Sequence, residues 1–281
     1  MQVVVVGSVN LDLVARVDRL PGGGDTVRAT DYRRVPGGKG ANQALAARRL
    51  GADVALVAAV GEDDAGTEAL DLLAADGVDL AGVRPVPDAS TGIALITVDD
   101  AGENTIVVVP GANARLAVTA ADLAGADAVL CQLEVPVETV AAAAAAAPVD
   151  ALFCLNTAPP GPVPAAVLDR ADLVVANRAE HAEMDGLDRV RMVAVTEGAD
   201  GAVLLEAGRQ VARAMPPPVT AVDGTGAGDA FTAALVVGLL GGLDRAAALR
   251  RACVAGAVAA SRPGAQPALP RPADLDALER R

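Results

Sequence analysis

The stretch that most constrains the fold lies near the end of the chain, where three glycines and an acid precede a long apolar run. Residues 223–229 read Asp-Gly-Thr-Gly-Ala-Gly-Asp, and mostly alanine, valine and leucine follow as far as residue 240. The pattern predicts a glycine-rich loop that opens into a buried helix. Because a helix start offers unpaired N–H groups and the positive end of the helix dipole, the loop predicts an anion site.

The acid that follows the last glycine, Asp229, indicates chemistry beyond anion binding. Like charges repel, so a carboxylate beside a phosphate is unfavourable for binding alone. It is useful if it takes a proton from an attacking hydroxyl during phosphoryl transfer. On this stretch alone, an acid that favours the helix dipole is an equal alternative. Walker A and dinucleotide motifs fit poorly, because they require lysine or a small residue where Asp229 stands.

Composition argues against nucleic-acid and membrane partners. The 281 residues suffice for one large domain, and with three aromatic residues the core must consist of valine, leucine and alanine. The net charge of −13 disfavours nucleic acids and anionic membrane surfaces. The first residues predict a strand and not a signal peptide, and the three widely spaced cysteines predict buried free thiols, so we expect a cytoplasmic location.

Apolar runs that end in polar or glycine residues recur along the chain and predict buried parallel strands. They cover residues 3–6, 53–60, 128–131, 151–155, 173–176 and 192–196. Helical patterns separate most of them, and residues 202–205 and 210–214 predict an antiparallel pair. The sequence therefore predicts an α/β fold whose ligands bind at the carboxyl ends of the strands.

Two further segments interrupt this pattern with short, exposed strands. Residues 12–36 contain an alternating stretch and a stretch rich in Arg, Thr and Tyr, and residues 91–109 predict a hairpin with its turn at 99–102. We expect the two segments to form a small separate sheet over the main one.

A second glycine-rich helix start, at residues 37–42, contains Lys39, the only lysine among 23 basic residues. In a chain that otherwise uses arginine, it indicates a position that needs a compact ammonium. Asn10 and Asp12 follow the first strand and lie two apart, so in an extended segment they face the same way. Turn-forming residues of a polar loop are the alternative interpretation of this pair.

Taken together, the motifs resemble the PfkB family of carbohydrate kinases, and within it the ribokinases. The resemblance rests on residues 7–12, 37–44, 111–114, 177–180 and 223–229, in the family's order and spacing. It implies one domain over residues 1–281, a ribokinase-like three-layer sandwich with a central, mostly parallel sheet between helices. The segments 12–36 and 91–109 would be its small β-sheet lid. Such lids also pair with a second subunit, so the resemblance implies a homodimer.

The implied reaction is the ATP-dependent phosphorylation of the primary hydroxyl of D-ribose to ribose 5-phosphate. Asp229 would be the general base, and the backbone N–H groups of Gly226, Ala227 and Gly228 would form the anion hole for the transferred phosphoryl group. The positions that match the family's sugar contacts are Asn10, Asp12, Gly38, Lys39, Asn42, Glu134 and Asp229. A helix-capping acid is the alternative interpretation of Glu134.

The resemblance also implies nucleotide and metal positions. Those that match the nucleotide site are Asn177, Thr196, Gly198, Gly201, Gly226 and Gly228. Glu180 would hold Mg²⁺ through water, and Asp223, Thr225 and Gly264 would hold a monovalent cation such as K⁺. Two departures bear on these expectations. Segment 181–191 is shorter than usual, and Ala268 stands where a hydroxyl is frequent.

Several alternatives stay open. The substrate could be deoxyribose, a fructose-type sugar or a nucleoside such as adenosine, although the scarcity of aromatic residues disfavours stacking on a base. A catalytically weak, sugar-binding regulatory relative is the alternative from another class. The presence of Asp229 with both glycine-rich loops argues against it, and an NAD-linked oxidoreductase is less favoured still.

Overall fold

The computed structural model describes residues 1–280 and contains a nine-stranded sheet between helices and a separate four-stranded sheet. The strands are β1 (Gln2–Val6), β2 (Asn10–Val17), β3 (Ala29–Gly37), β4 (Asp53–Gly61), β5 (Val83–Val86), β6 (Gly92–Val98), β7 (Asn104–Val109), β8 (Ala128–Cys131), β9 (Leu152–Asn156), β10 (Leu173–Asn177), β11 (Met192–Thr196), β12 (Ala202–Glu206) and β13 (Arg209–Ala214). The helices are α1 (Lys39–Arg49), α2 (Asp64–Ala75), α3 (Val137–Ala146), α4 (Ala165–Arg170), α5 (Arg178–Glu183), α6 (Ala227–Leu240), α7 (Arg245–Ala260) and α8 (Pro272–Glu279).

The larger sheet has the strand order β13-β12-β11-β10-β9-β8-β1-β4-β5. β1 lies between β4 and β8 and pairs with both in parallel. Its four consecutive valines, residues 3–6, are all buried because helices cover both faces of the sheet. The predicted sheet of mostly parallel strands is therefore confirmed.

Each face of this sheet packs on its own set of helices. On one face, α1, α2 and α7 contribute buried residues such as Leu45, Leu73 and Leu249. On the other face, α3 and α4 contribute Val140 and Val167. The expected three-layer sandwich is confirmed, and its core consists largely of valine, leucine and alanine.

The two edges of the sheet differ from its centre. β12 and β13 are antiparallel, as the sequence predicts, and β12 is also antiparallel to β11, which was not predicted. At the opposite edge β5, a strand that the sequence pattern did not predict, pairs in parallel with the end of β4. It is four residues long and contains Pro85, which an edge strand tolerates because one side of it forms no ladder hydrogen bonds.

The smaller sheet has the order β3-β2-β6-β7. β2 is antiparallel to β3 and parallel to β6, and β6 is antiparallel to β7. The expected pairing of segments 12–36 and 91–109 is confirmed. The strands extend slightly beyond the predicted bounds, since β2 begins at Asn10 and β3 ends at Gly37. Because only three residues separate the end of β1 from the start of β2, the small sheet stands at the carboxyl edge of the large one.

The start of α1 packs directly on the end of β1. A Cβ atom at Gly40 would lie 2.5 Å from the carbonyl carbon of Gly7 and from the backbone nitrogen of Ser8, so only glycine fits. Gly38, the N-cap residue, has a φ of 87° in the left-handed region. These two glycines place the N-terminus of α1 against the ligand edge of the sheet.

The three cysteines are free and buried, as expected. Within residues 1–280, no helix is both long and apolar enough to cross a membrane.

Candidate active site

A cavity of about 780 Å³ lies between the carboxyl edge of the large sheet and the inner face of the small sheet. Its wall contains most of the predicted site residues: Asn10, Asp12, Gly38, Lys39, Asn42, Glu134, Asn177, Glu180, Thr196, Asp223, Thr225, Gly226, Gly228, Asp229 and Gly264. Three predicted residues, Ala227, Gly198 and Gly201, do not line it. The fold thus brings the widely separated motifs to one place.

The predicted base, Asp229, lies in the first turn of α6 and is 5% exposed. Its Oδ2 accepts a hydrogen bond from Asn42 Nδ2 (2.9 Å), and its Oδ1 accepts one from Gln43 Nε2 (3.0 Å). Burial raises the pKa of Asp229, while the Lys39 ammonium and the two amide donors oppose the rise. The carboxylate is therefore a better base than an exposed one, and its oxygens have further lone pairs to accept a proton.

The Gln43 side chain belongs to a buried chain of amides that was not predictable from the sequence pattern. Its Oε1 accepts from Gln132 Nε2 (2.7 Å), and its Nε2 donates both to Asp229 and to Asn156 Oδ1 (3.1 Å). Asn156 in turn donates to the Val175 carbonyl (3.0 Å). These bonds fix which end of the Gln43 amide faces Asp229. The one sequence signal was the place of Gln43 beside Asn42 in the second glycine-rich motif.

Four carboxylates lie close enough to the Lys39 ammonium for their charges to act on its pKa. They belong to Asp229, Glu134, Glu180 and Asp12. Burial lowers the pKa of Lys39, but these four charges outweigh burial and raise it, so the side chain is charged at neutral pH. Burial raises the pKa of Asp12 to about 7, and the charges of Glu134 and Asp229 add to this rise. The Asp12 carboxyl group therefore exchanges its proton near neutral pH.

Glu134 caps α1, although 95 residues separate it from the start of that helix. The N-cap residue Gly38 has no side chain to accept from the first turn. Glu134 Oε2 accepts hydrogen bonds from the Lys39 backbone N–H (3.0 Å) and from Ser8 Oγ (2.6 Å), and Ser8 Oγ accepts from Gly40 N–H (3.3 Å). The capping interpretation is correct, and because Glu134 also lines the cavity, its sugar contact stays a prediction.

Asn113 holds the side chain of Asn10 in place; it lies in the motif at residues 111–114, and the motif alone did not predict this role. Asn113 Nδ2 donates to Asn10 Oδ1 (2.8 Å), and Asn113 Oδ1 accepts from the Val9 N–H (3.0 Å). A Cβ atom at Gly92 would lie 2.2 Å from both amides, so glycine at the start of β6 leaves room for the pair. Asn113 is therefore a positioning residue for Asn10.

Asn42 offers an unused acceptor at the cavity. Its Oδ1 is buried and has no hydrogen-bond partner within the described part of the chain, although its Nδ2 is bound to Asp229. Buried polar atoms in native proteins normally have partners. The oxygen is thus suited to a hydroxyl of a bound ligand.

The N-terminus of α6 enters the site without a side-chain cap, and its N-cap residue Gly226 has a φ of 79°. The backbone N–H groups of Gly226 and Gly228 donate to no acceptor in residues 1–280, whereas that of Ala227 donates to the Gly224 carbonyl (3.2 Å). Of the three predicted anion-hole donors, two are free and one is engaged in a turn. Free N–H groups at the positive end of a helix suit a phosphoryl group.

Asn177 and Glu180 form a capping box at the start of α5. Glu180 Oε2 accepts from the Asn177 N–H (2.9 Å) and from Thr157 Oγ1 (2.9 Å), and Oε1 accepts from Asn177 Nδ2 (2.8 Å). Direct metal ligation would displace some of these donors. The carboxylate therefore fits contact with a metal-bound water better than direct ligation.

The predicted nucleotide turn follows β11. Thr196 ends the strand and lines the cavity, whereas Gly198 and Gly201 bracket a short turn behind it. Gly201 has a φ of 88°, and a Cβ atom there would lie 2.0 Å from the Ala214 carbonyl oxygen. Glycine is therefore needed at residue 201 for close packing on β13.

The shortened segment before β11 consists of α5 and the turn Leu187–Arg189, and it completes the parallel connection from β10 to β11.

Asp223 joins the two segments of the predicted cation site. Its Oδ1 accepts from Thr225 N–H (2.9 Å) and Thr225 Oγ1 (2.6 Å), and its Oδ2 accepts from Gly264 N–H (2.9 Å). Burial raises the pKa of Asp223, but these hydrogen bonds outweigh it and lower the pKa. Ala268, four residues after Gly264, is buried, and its side chain supplies no hydroxyl to this loop. Residues 1–280 contain no cluster of three or more His, Cys, Asp or Glu side chains placed to hold a metal.

Comparisons with known proteins show the family and the fold of the chain. The model of the pfkB family carbohydrate kinases matches residues 1–272. A ribokinase of Bacillus subtilis is 38% identical over 287 residues, which cover 98% of each chain, and an ATP-dependent ribose-1-phosphate kinase of Halopiger xanaduensis is 35% identical over 284 residues, which cover 95% of each. The structure of Arabidopsis thaliana ribokinase complexed with ribose and ATP superposes with a TM-score of 0.89 at 30% identity, over 98% of this chain and 97% of that one.

Proposed function

The chain belongs to the pfkB family of carbohydrate kinases, and we propose that it is an ATP-dependent kinase that converts D-ribose to ribose 5-phosphate. The observation that carries this proposal is one cavity in which a buried base, Asp229, lies beside the uncapped start of α6 and beside polar side chains from β2 and α1. The names of the Bacillus subtilis and Arabidopsis thaliana relatives, and the ribose and ATP in the latter's complex, support the same reaction.

In this proposal the sugar lies between the small sheet and the start of α1. Asp12 accepts hydrogen bonds from its hydroxyls, Asn10 can both donate to them and accept from them, and Asn42 offers its unpartnered oxygen as an acceptor. The Lys39 ammonium balances part of the carboxylate charge around the sugar. Gly38 lets the backbone approach, and Glu134 holds that turn in place through its bonds to Ser8 and Lys39.

Asp229 takes the proton of the primary hydroxyl as the oxygen attacks the γ-phosphorus of ATP. The bond from that phosphorus to the bridging oxygen breaks, and ADP leaves. Negative charge on the transferred group faces the free N–H groups of Gly226 and Gly228 at the start of α6. Water-free surroundings strengthen these contacts, since 95% of the Asp229 surface is already shielded by protein.

We propose that Asn177, Thr196 and the turn from Gly198 to Gly201 border the nucleotide. Glu180 would orient Mg²⁺ through water, and the metal would neutralise phosphate charge when bound. Asp223, Thr225 and Gly264 would shape a loop for a monovalent cation such as K⁺, because Asp223 already ties that loop together.

We also propose that the small sheet is a lid and the contact between two subunits. Its inner face lines the cavity, so closure onto the large sheet would exclude water. Its outer face exposes Leu95 (45%) and the opposite Val107 (60%), beside the free edge of β7. Such apolar edges are normally covered. In sedimentation experiments, Val107→Lys should then favour monomers, and Val211→Lys, at an exposed valine of the β13 edge, should not.

A cytoplasmic location is part of this proposal, supported by three buried free thiols.

The test of the reaction is ADP release from ATP and Mg²⁺ across ribose, deoxyribose, fructose and adenosine. Strong release with ribose supports the proposal, and activity confined to another acceptor moves the substrate but keeps the chemistry. Asp229→Ala should abolish release while ribose and ATP still bind in calorimetry. Near-normal turnover of that variant would remove Asp229 from the base role. Sugar binding without any turnover by the parent would favour the regulatory alternative.

A further inference from the structure

The inner face of the small sheet presents three rows of side chains to the cavity, and the register of its strands defines them. The first row contains Asp12, the second contains Arg33 opposite Val14, and the third contains Arg16 opposite Asp31. Adjacent rows lie about 6.6 Å apart along the strands. Both arginines therefore face the cavity in which the sugar is proposed to bind.

Asp31 organises this pair of arginines. Arg33 donates from Nε to Asp31 Oδ2 (2.7 Å), and its terminal nitrogens donate to no other residue in the described range. The Arg16 guanidinium makes no hydrogen bond or ion pair there, although its charge reaches Asp31, which lies opposite it. Two guanidinium groups balanced by one carboxylate leave one positive charge, with donors free for a ligand.

The position of this charge relative to Asp229 decides which part of a substrate it can meet. Asp12 lies close enough to Asp229 and Glu134 for their charges to act on it, so the first row adjoins the reacting centre. The second and third rows lie about 7 and 13 Å further along β2 and β3. A pentose whose primary hydroxyl faces Asp229 would direct its opposite end, carbon 1, toward Arg33 and Arg16.

Two arginines beside carbon 1 of the pentose favour a substrate with an anionic group at that carbon. Guanidinium groups form forked, charge-assisted hydrogen bonds with phosphate, and a neutral hydroxyl needs no such pair. The strip beside them is apolar, since Val14, Ile96 and Ile106 share the second row. A neutral sugar would leave both guanidinium groups without a partner on the cavity side.

We propose that this site accepts pentoses that carry a phosphate at carbon 1, held by Arg16 and Arg33, in preference to the free sugar. This inference rests on the proposed kinase function. The reaction itself is unchanged: the 5-hydroxyl oxygen bonds to the γ-phosphorus, its proton goes to Asp229, the bond to ADP breaks, and the 1-phosphate stays on the sugar. The product is a pentose 1,5-bisphosphate.

The test compares D-ribose and α-D-ribose 1-phosphate as acceptors, with ADP release and phosphate-ester analysis as readouts. The parent enzyme should show a kcat/KM for the 1-phosphate at least about 10-fold above that for ribose. Arg16→Gln combined with Arg33→Gln should lower the 1-phosphate value by about 10-fold or more and change the ribose value by less than about 3-fold. The KM for the 1-phosphate should also rise with salt, because exposed charges are screened.

The matched control is Arg34→Gln. Arg34 neighbours Arg33 on β3 but lies on the opposite face, where it pairs with Glu68 (2.5 Å). It removes one positive charge, as each of the two substitutions in the double variant does, and it should alter neither acceptor. Equal losses for both acceptors in the double variant, or a raised KM for ATP alone, would overturn the inference.

The outcomes also separate this inference from the proposed function. Turnover of ribose with none of the 1-phosphate would refute the anion site and leave the ribose kinase standing. Turnover of the 1-phosphate alone supports the anion site and corrects the substrate of the proposed function. Turnover of neither acceptor refutes both.

Discussion

Replacing Gln43 by leucine tests whether the buried amide chain holds Asp229 ready for proton transfer. The substitution keeps a buried side chain of similar length but removes the donor that lies 3.0 Å from Asp229 Oδ1. Gln43 does not line the cavity. We therefore expect the chemical step to slow while the KM values for sugar and ATP stay close to those of the parent.

The size of the effect follows from the type of hydrogen bond. A donor to a buried carboxylate contributes about 1.5–3 kcal/mol, and about 1.4 kcal/mol corresponds to a tenfold change in rate. The expected loss in kcat is therefore about 10- to 100-fold. Burial already raises the pKa of Asp229, and Gln43 opposes this rise. Without Gln43 the pKa rises further, so the acidic limb of the kcat profile should move to higher pH.

The assay is a pH series of kcat and kcat/KM, with thermal unfolding to verify that the variant folds. Gln132→Leu is the graded comparison, since it removes the bond that orients Gln43 but keeps the contact with Asp229. Its loss should be the smaller of the two. A Gln43→Leu enzyme with a kcat within about threefold of the parent and an unmoved acidic limb would refute the positioning role.

Three further predictions concern Asp12, the α1 start and the cation loop. The pKa of Asp12 is about 7 in the folded protein against an ordinary value of 3.8. Ionisation of Asp12 therefore lowers the free energy of unfolding by up to about 4 kcal/mol above pH 7, and this cost disappears below about pH 4. Asp12→Asn should raise the Tm at pH 8 but not near pH 4, and it should raise the sugar KM by about tenfold or more. Gly40→Ala should destabilise by about 1–3 kcal/mol in denaturant unfolding because its Cβ would meet backbone, whereas Gly23→Ala, with no atom within 4 Å, should change stability by less than about 0.5 kcal/mol. If the parent is activated by K⁺, Asp223→Ala should abolish that response in a K⁺ titration; an unchanged response would contradict the assignment of the loop.

The fold was predictable where a local pattern decides the outcome. The four valines of β1 can be buried on both faces only in the centre of a covered sheet, and the apolar run after Asp229 can only be a buried helix. β5 was not predictable from the sequence because Val83–Val86 is short and contains Pro85, and because its pairing with β4 depends on tertiary contact. Local propensity carries little information about such an edge strand.

The sequence indicated most of the residues that meet at the cavity, but not the contacts between them. Gln43 and Gln132 are 89 residues apart, and Gln43 and Asp229 are 186 apart. No spacing rule connects such positions, because the connection exists only after α1, α6 and the strands pack together. Glu134 shows the same limit: the sequence indicated a capping acid, but only the fold reveals that it caps α1.

The charge of the site explains how an acidic protein can handle anionic ligands. The whole chain carries −13, and the charges of four carboxylates act on the single ammonium of Lys39, so the part of the pocket beside Asp229 itself repels phosphate. The compensation comes from the uncapped start of α6, which carries partial positive charge without an ionisable group. It also comes from protonation, because crowding and burial raise the pKa of Asp12 to about 7. Anion binding in this enzyme therefore depends on backbone dipoles and on a few placed cations, and the net charge of the chain does not report on it.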